Sequence, residues 1–414
     1  MDIPGLPARR AALRLLDAVL RRGETLDQAA HNALQGVRDG PDRALARALA
    51  GEALRWLVDL DQLIDSATKT ALPEDAKARS VLRLMLAGWL RLETPPHAVI
   101  ATALPLLAGG PRRLAHGVFS TLTKRPARLP DAPSLPADVA ARWAEQGGDR
   151  ATAIAGALAE PPPLDLTLRE PDATASWSEQ LAGISLAPGH VRTPRGTAVE
   201  DLPGFAEGAW WVQDLAASLP ARLLGACKGR RVLDLCAAPG GKTLQLAAAG
   251  WSVTALDLSQ HRLERIRANL DRTGLTADLV CADALEWEPE APFDAVLLDA
   301  PCTATGTCRR HPDVLHRITP RHIAEMTALQ QRLLKRAAGW LAPGGQLVYA
   351  VCSLETAEGE DIAAGIALPV DPIRPDELPA GLAPTPEGWL RTDPAMLPEA
   401  GGLDGFFVAR WRRD

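Results

Sequence analysis

The chain has 414 residues, enough for two or three domains that each bury a core, and its 47% hydrophobic and 23% charged residues are ordinary globular values that exclude a mainly disordered chain. No apolar run approaches the length needed to cross a bilayer and the opening MDIPGLPARR lacks an apolar signal segment, so a cytoplasmic protein with no membrane partner is expected. The net charge of −6 is unevenly divided: residues 1–130 hold 19 Lys or Arg against 13 Asp or Glu, an excess of +6 that leaves −12 for the remainder, which fits either an anionic partner held by the front or a solvated helical surface.

In the front segment, Leu13, Leu16, Val19 and Leu20 recur at helical spacing, as do Leu45, Leu49, Leu54, Leu57 and Leu60. Further helical runs cover residues 76–92, 97–107 and 114–122, with breaks at Gly23, Gly40-Pro41, Pro73, Pro95-Pro96 and Gly109-Gly110-Pro111. This predicts an all-α bundle over residues 1–128. LRWLVDLDQLID (54–65), the Pro95-Pro96-His97 turn and residues 116–125 resemble the NusB RNA-binding domain.

Residues 126–136, PARLPDAPSLP, contain four prolines and read as an extended linker. A helical stretch at 137–158, a strand at 164–169, a short helix at 176–182 and a strand beginning at 189 follow. These pieces predict a small α+β connector domain over 129–205.

The remainder, 206–414, is organised around RVLDLCAAPGGKTLQL (231–246): a short strand, a turn containing Pro239, Gly240 and Gly241, and a helix from Thr243. Glycines permit close backbone approach, and the free N–H groups of a helix start favour anionic or electron-rich ligand atoms, so the turn predicts a nucleotide site. A second strand ends at Asp257, placed to accept hydrogen bonds from a ribose, a spacing that equally suits NAD. Asp283 ends a third strand, where it could orient an adenine. FDAVLLDAPC (293–302) carries a fourth strand to Asp299 and Cys302, and residues 346–350 supply a fifth before Val351-Cys352-Ser353. This is a doubly wound, Rossmann-like α/β pattern. If the fourth and fifth strands are neighbours, ~5 Å apart, both thiols face one crevice.

A dehydrogenase has no need of that pair, but a cytosine C5 methyltransferase does. C5 is a poor nucleophile, and a thiolate adding to C6 makes it enamine-like. A carboxyl group near N3 would help, and a base must remove the C5 proton before the thiol leaves. The other cysteines, Cys227, Cys236, Cys281 and Cys308, show no paired spacing for a metal and read as buried thiols, with Cys308 the hardest to place.

VLDLCAAPGGKT, DAPCTATGTCRRHPDV, VCSLETAEGE and the terminal DGFFVARW together resemble the Fmu/Sun (RsmB) family of 16S rRNA cytosine C5 methyltransferases, which also carries a NusB-like front domain. The resemblance implies a class I methyltransferase domain that uses S-adenosyl-L-methionine, with small-subunit rRNA or a ribosomal precursor as partner; a monomer without metal is expected. It implies cofactor contacts from Cys236, Ala237, Ala238, Pro239, Gly240, Gly241 and Lys242, with Asp257 on the ribose, Asp283 near the adenine and Asp299 between cofactor and base. Cys352 matches the nucleophile of the RNA enzymes and Cys302 the cysteine that assists release, the reverse of the DNA enzymes. Val351 stands where the family has Thr. Arg309, Arg310 and His311 are either candidate contacts to RNA phosphate or a loop of solvated charges, and Gln213 and Asp214 border the base pocket unless Asp214 only caps a helix. The alternatives are a tRNA or 23S rRNA cytosine as target, and a non-catalytic RNA-binding or antitermination factor.

Overall fold

The apolar positions spaced along the front segment close into helices because each run keeps one face of Leu, Ala and Val free of charge. In the structure, a computed structural model that describes residues 3–125 and 127–414, these helices are Leu6–Arg22, Leu26–Ala33, Gly40–Arg55, Leu57–Ser66, Lys77–Leu90, Pro96–Ala103 and Gly109–Lys124. Leu16, Leu49, Leu54, Leu82, Met85 and Phe119 meet in one cluster. Gly109-Gly110-Pro111, read as a break, instead opens a helix, since a proline in the first turn lacks only an N–H that has no helical partner there. The helix Leu26–Ala33 escaped the sequence reading; a Thr25–Gln28 capping box starts it.

Packing divides the chain into two units. The first comprises the residues up to Glu160 together with Cys308–Ile318, and the second comprises Pro161–Thr307 and Thr319–Asp414. Helices Ala137–Ala144 and Gly148–Ala157, grouped with the connector in the sequence reading, therefore pack in the first unit.

Much of the first unit's acid is consumed internally. Arg83 grips Asp61 through two hydrogen bonds of 2.8 and 2.7 Å, Arg79 reaches Asp65 at 2.5 Å, and Glu52 accepts from Arg55 at 3.1 Å and Arg91 at 2.9 Å. Arg10, Arg14, Arg47, Arg112 and Arg113 are left exposed.

The second unit begins with a three-stranded antiparallel sheet of β1 (Leu164–Leu168), β2 (His190–Thr193) and β3 (Trp210–Val212), in the order β2-β1-β3. Asp214 caps the helix Leu215–Arg222 that follows by accepting from Ala216 N at 2.9 Å. On the same helix, Leu215 N donates to Asp165 of β1 at 3.0 Å.

The main sheet contains β4 (Arg231–Leu235), β5 (Ser252–Asp257), β6 (Asp278–Cys281), β7 (Phe293–Asp299), β8 (Leu341–Val351), β9 (Leu390–Thr392) and β10 (Phe406–Arg412). Their order is β6-β5-β4-β7-β8-β10-β9; the first five run parallel, and β10 is antiparallel to both neighbours. Strand alternation sends Leu233, Val296, Leu298, Leu347 and Tyr349 to one apolar layer and Val232, Ala295, Leu297, Val348 and Ala350 to the other. The order reverses between β4 and β7, so a ligand crevice is expected at the carboxyl ends of these strands. The DGFFVARW stretch, noticed as a motif, supplies β10. Among the described residues no helix is long and apolar enough to cross a membrane.

Candidate active site

Strand β4 delivers its carboxyl end to the turn at residues 236–240. Cys236 adopts φ 63 and Gly240 φ 106, after a cis Ala238–Pro239 peptide. A side chain at Gly240 would be strained, and its Cβ would lie 3.0 Å from Ile266. The helix Gly241–Ala248 has no side-chain cap, so its first N–H groups remain available to a ligand. Burial pushes the Cys236 thiol up, leaving it neutral and suited to packing.

A cavity of about 350 Å³ opens beside this turn, and its lining includes Trp211, Gln213, Pro239, Gly241, Lys242 and Asp299. Lys242 Nζ donates to Asp299 Oδ2 at 2.7 Å, joining the helix start to the end of β7. Beneath the turn, Asp234 is fully buried; its Oδ2 accepts from Thr243 at 2.5 Å while Oδ1 has no partner among the described residues. Burial pushes its carboxyl up to about 7, against the Thr243 hydrogen bond. Uncapped N–H groups, the Lys242–Asp299 pair and a concave aromatic wall together fit the amino-acid and ribosyl parts of a nucleotide-like cofactor.

Asp257, at the end of β5, is 2% exposed. Its oxygens accept from Ala238 N at 3.1 Å and Ser259 N at 3.0 Å, and Arg262 Nη1 lies 3.3 Å away. Arg262 Nη2 also donates to Ala238 O at 2.5 Å. Arg262 thus takes up part of the carboxylate's remaining acceptor capacity. Arg262 was missed in the sequence; its position five residues after Asp257, in the first helical turn, was the available signal. Asp283 is exposed two residues beyond β6, with Oδ1 accepting from Leu285 N at 2.8 Å.

The pairing of β7 with β8, Asp299 opposite Ala350, carries both chains to a common edge. There Cys302 Sγ lies 3.4 Å from Cys352 Sγ, and both residues are half-buried. The contact with Cys352 and then burial raise the Cys302 thiol well above its ordinary value, and either sulfur can be the donor of the pair. Val351 is fully buried in the apolar layer opposite Phe407 of β10, so a hydroxyl there would have faced the core.

The basic run is placed differently from expectation. Arg309 is 1% exposed within the first unit, and its carbonyl accepts from Arg55 at 2.8 Å. Against the expected RNA contact, its guanidinium is not exposed to a phosphate in this structure. Arg310 and His311 are half-buried. Cys308 is also fully buried, as a packing residue. Burial of this segment depends on residues some 250 positions away, which local sequence does not reveal.

Comparison with known proteins adds two family matches, to 16S rRNA methyltransferase RsmB/F over residues 221–412 and to the NusB family over residues 6–108. The chain is similar to ribosomal RNA small subunit methyltransferase B of Xanthomonas campestris pv. campestris, at 36% identity over 379 residues and 86% of each chain. It is also similar to that of Xylella fastidiosa, at 35% identity over 434 residues and 99% of each. Among solved structures, a methyltransferase homolog protein from Pyrococcus horikoshii is 28% identical, with a TM-score of 0.56 covering 66% of this chain and 94% of that one.

Proposed function

The chain belongs to the 16S rRNA methyltransferase RsmB/F family, and from that premise we propose that it methylates C5 of a cytosine in small-subunit rRNA through a covalent adduct between Cys352 and C6. The methyl donor is S-adenosylmethionine, which when bound supplies an electrophilic methyl group. Its expected holders are the turn from Cys236 to Lys242, Asp257 for the ribose hydroxyls and Asp283 at the adenine edge.

The observation that carries the reading is the pair of thiols 3.4 Å apart, of which Cys302 stands three residues beyond an aspartate that lines the cavity. Attack by Cys352 Sγ on C6 forms a C–S bond and moves the ring electrons toward C5 and N3. Asp299, steadied by Lys242, is assigned to the side of the base where that charge develops. After C5 has gained the methyl group, its proton leaves to a base. The C–H electrons restore the C5–C6 double bond, and Cys352 departs with the electrons of the C–S bond. Attack is assigned to Cys352 because it matches the nucleophile of the RNA enzymes that the chain resembles, and it stands in contact with the second thiol. Cys302 is then assigned to release. The exposed arginines of the first unit are assigned to RNA phosphate.

The test is denaturing electrophoresis after incubation with substrate RNA and S-adenosylmethionine. Cys302→Ala is expected to accumulate protein joined to RNA, whereas Cys352→Ala forms no adduct and loses turnover by several orders of magnitude. An adduct with Cys352→Ala alone would reverse the roles, and full activity of both variants would sink the mechanism.

A further inference from the structure

Glu358 lies six residues after Cys352, is completely buried and has no part in the chemistry above. Among the described residues no Lys, Arg or His forms an ion pair with it. Burying a carboxylate is costly unless hydrogen bonds replace its hydration, and here the replacements come from both cysteine loops. Oε1 accepts from Thr303 N at 2.9 Å, and Oε2 from Thr303 Oγ1 and from Ser353 Oγ, the latter at 2.5 Å. Gln330 Nε2 donates to Oε1 at 3.0 Å and also to Pro301 O at 2.8 Å. One carboxylate, with the amide bound to it, therefore grips the chain on both sides of Cys302 and holds the residue that follows Cys352.

The grip has a fixed base. Tyr349 Oη donates to the Glu358 carbonyl at 2.7 Å, and a side chain at Gly359 would meet Phe407 at 2.8 Å. The loops are also stitched to each other, by Leu354 N to Thr305 Oγ1 at 2.9 Å and Gly306 N to Cys352 O at 3.0 Å. An apolar residue would fill the same volume without the desolvation cost. A carboxylate is the side chain that can accept four hydrogen bonds from separate segments at once.

We propose that Glu358 is a positioning residue that holds Cys302 and Cys352 in thiol contact and thereby permits attack and release at one base. The second half rests on the cysteine mechanism proposed above, and the first half does not. Two loops that merely follow neighbouring strands share an edge, but the 3.4 Å separation of the sulfurs requires a tether acting on both. Close control of that distance matters, because displacement of a reacting group by ~1 Å can cost on the order of 100-fold in rate.

Phenylarsine oxide reads the geometry without RNA or cofactor. Its arsenic forms two As–S bonds, and its oxygen leaves as water with the two thiol protons, so no oxidant is needed. The full-length protein is expected to capture one equivalent, seen by intact mass spectrometry, with capture lost in Cys302→Ala and in Cys352→Ala. Glu358→Ala should slow capture and lower kcat by roughly 10- to 100-fold, while affinity for S-adenosylhomocysteine stays within about twofold. Glu358→Gln, which keeps one acceptor oxygen, should recover part of both. If Glu358→Ala does not fold, Thr303→Val and Ser353→Ala each remove one tether and should each slow capture. Capture at the wild-type rate by folded Glu358→Ala, or by both single-tether variants, overturns the positioning role. Slow capture matched by an equal loss of S-adenosylhomocysteine affinity also overturns it, because it marks general loosening. Slow capture with unchanged turnover upholds the tether and overturns its link to the reaction.

Discussion

Asp257, proposed above to hold the ribose hydroxyls, also fastens the turn. Its carboxylate accepts from two backbone N–H groups as well as facing Arg262, so Asp257→Ala removes more than a ribose acceptor. Each buried donor left unpaired costs about 1–3 kcal/mol, and a hydrogen bond to a charged group contributes about 1.5–3 kcal/mol. Calorimetry with S-adenosylhomocysteine is therefore expected to show a loss of about 2 kcal/mol or more, accompanied by a lower unfolding midpoint. Unchanged affinity would move the ribose elsewhere.

At the scale of elements, the small sheet is fastened through Asp165 on β1. Arg192 donates to its two oxygens at 2.6 and 2.8 Å, and Leu215 N donates from the next helix at 3.0 Å. Burial by itself would raise this carboxyl, but the bonds from Arg192 and the His190 contact outweigh it and hold the carboxyl well below the usual range. Its contribution is therefore fully present above the unfolded value of ~3.9 and is lost as pH falls through the lower folded value. Asp165→Asn leaves Arg192 buried without its charge partner and should cost about 3–5 kcal/mol at pH 7. In denaturant titrations that difference should shrink as the pH drops below ~4; a difference independent of pH would contradict the account. The same scale shows what sequence could reveal. Strands β4, β5 and β7 were readable because each is an apolar run ending in Asp or Cys at a turn, and the adjacency of β7 and β8, a condition of the sequence reading, is met by their pairing. Glu358 was not readable, because its role arises only when distant loops converge, whereas Arg262 had a local signal in its place five residues after Asp257. Strand β3 was too short to show a period, and β10 was noticed only as a motif.

For the whole molecule, the first unit includes a segment, Cys308–Ile318, that begins six residues after Cys302. Arg55 and Leu54 hold it through Arg309 O at 2.8 Å and His316 at 2.7 Å, and Val314 and Leu315 are buried. Deleting residues 1–160 removes these partners as well as the exposed arginines. The truncated protein should still bind S-adenosylhomocysteine. Its RNA Michaelis constant should rise, the salt slope of log K should flatten by ~0.7 for each lost phosphate contact to single-stranded RNA, and kcat should fall. An unchanged Michaelis constant and salt slope would leave the front unit without a role in RNA affinity. The central claim, methylation of C5 of a small-subunit rRNA cytosine by Cys352, is met most directly by bisulfite sequencing of total RNA from a deletion strain carrying wild-type or Cys352→Ala protein. The account predicts a 16S rRNA cytosine protected from conversion only with the wild-type protein. Unchanged 16S protection in the deletion strain, or protection restored by Cys352→Ala, would contradict it.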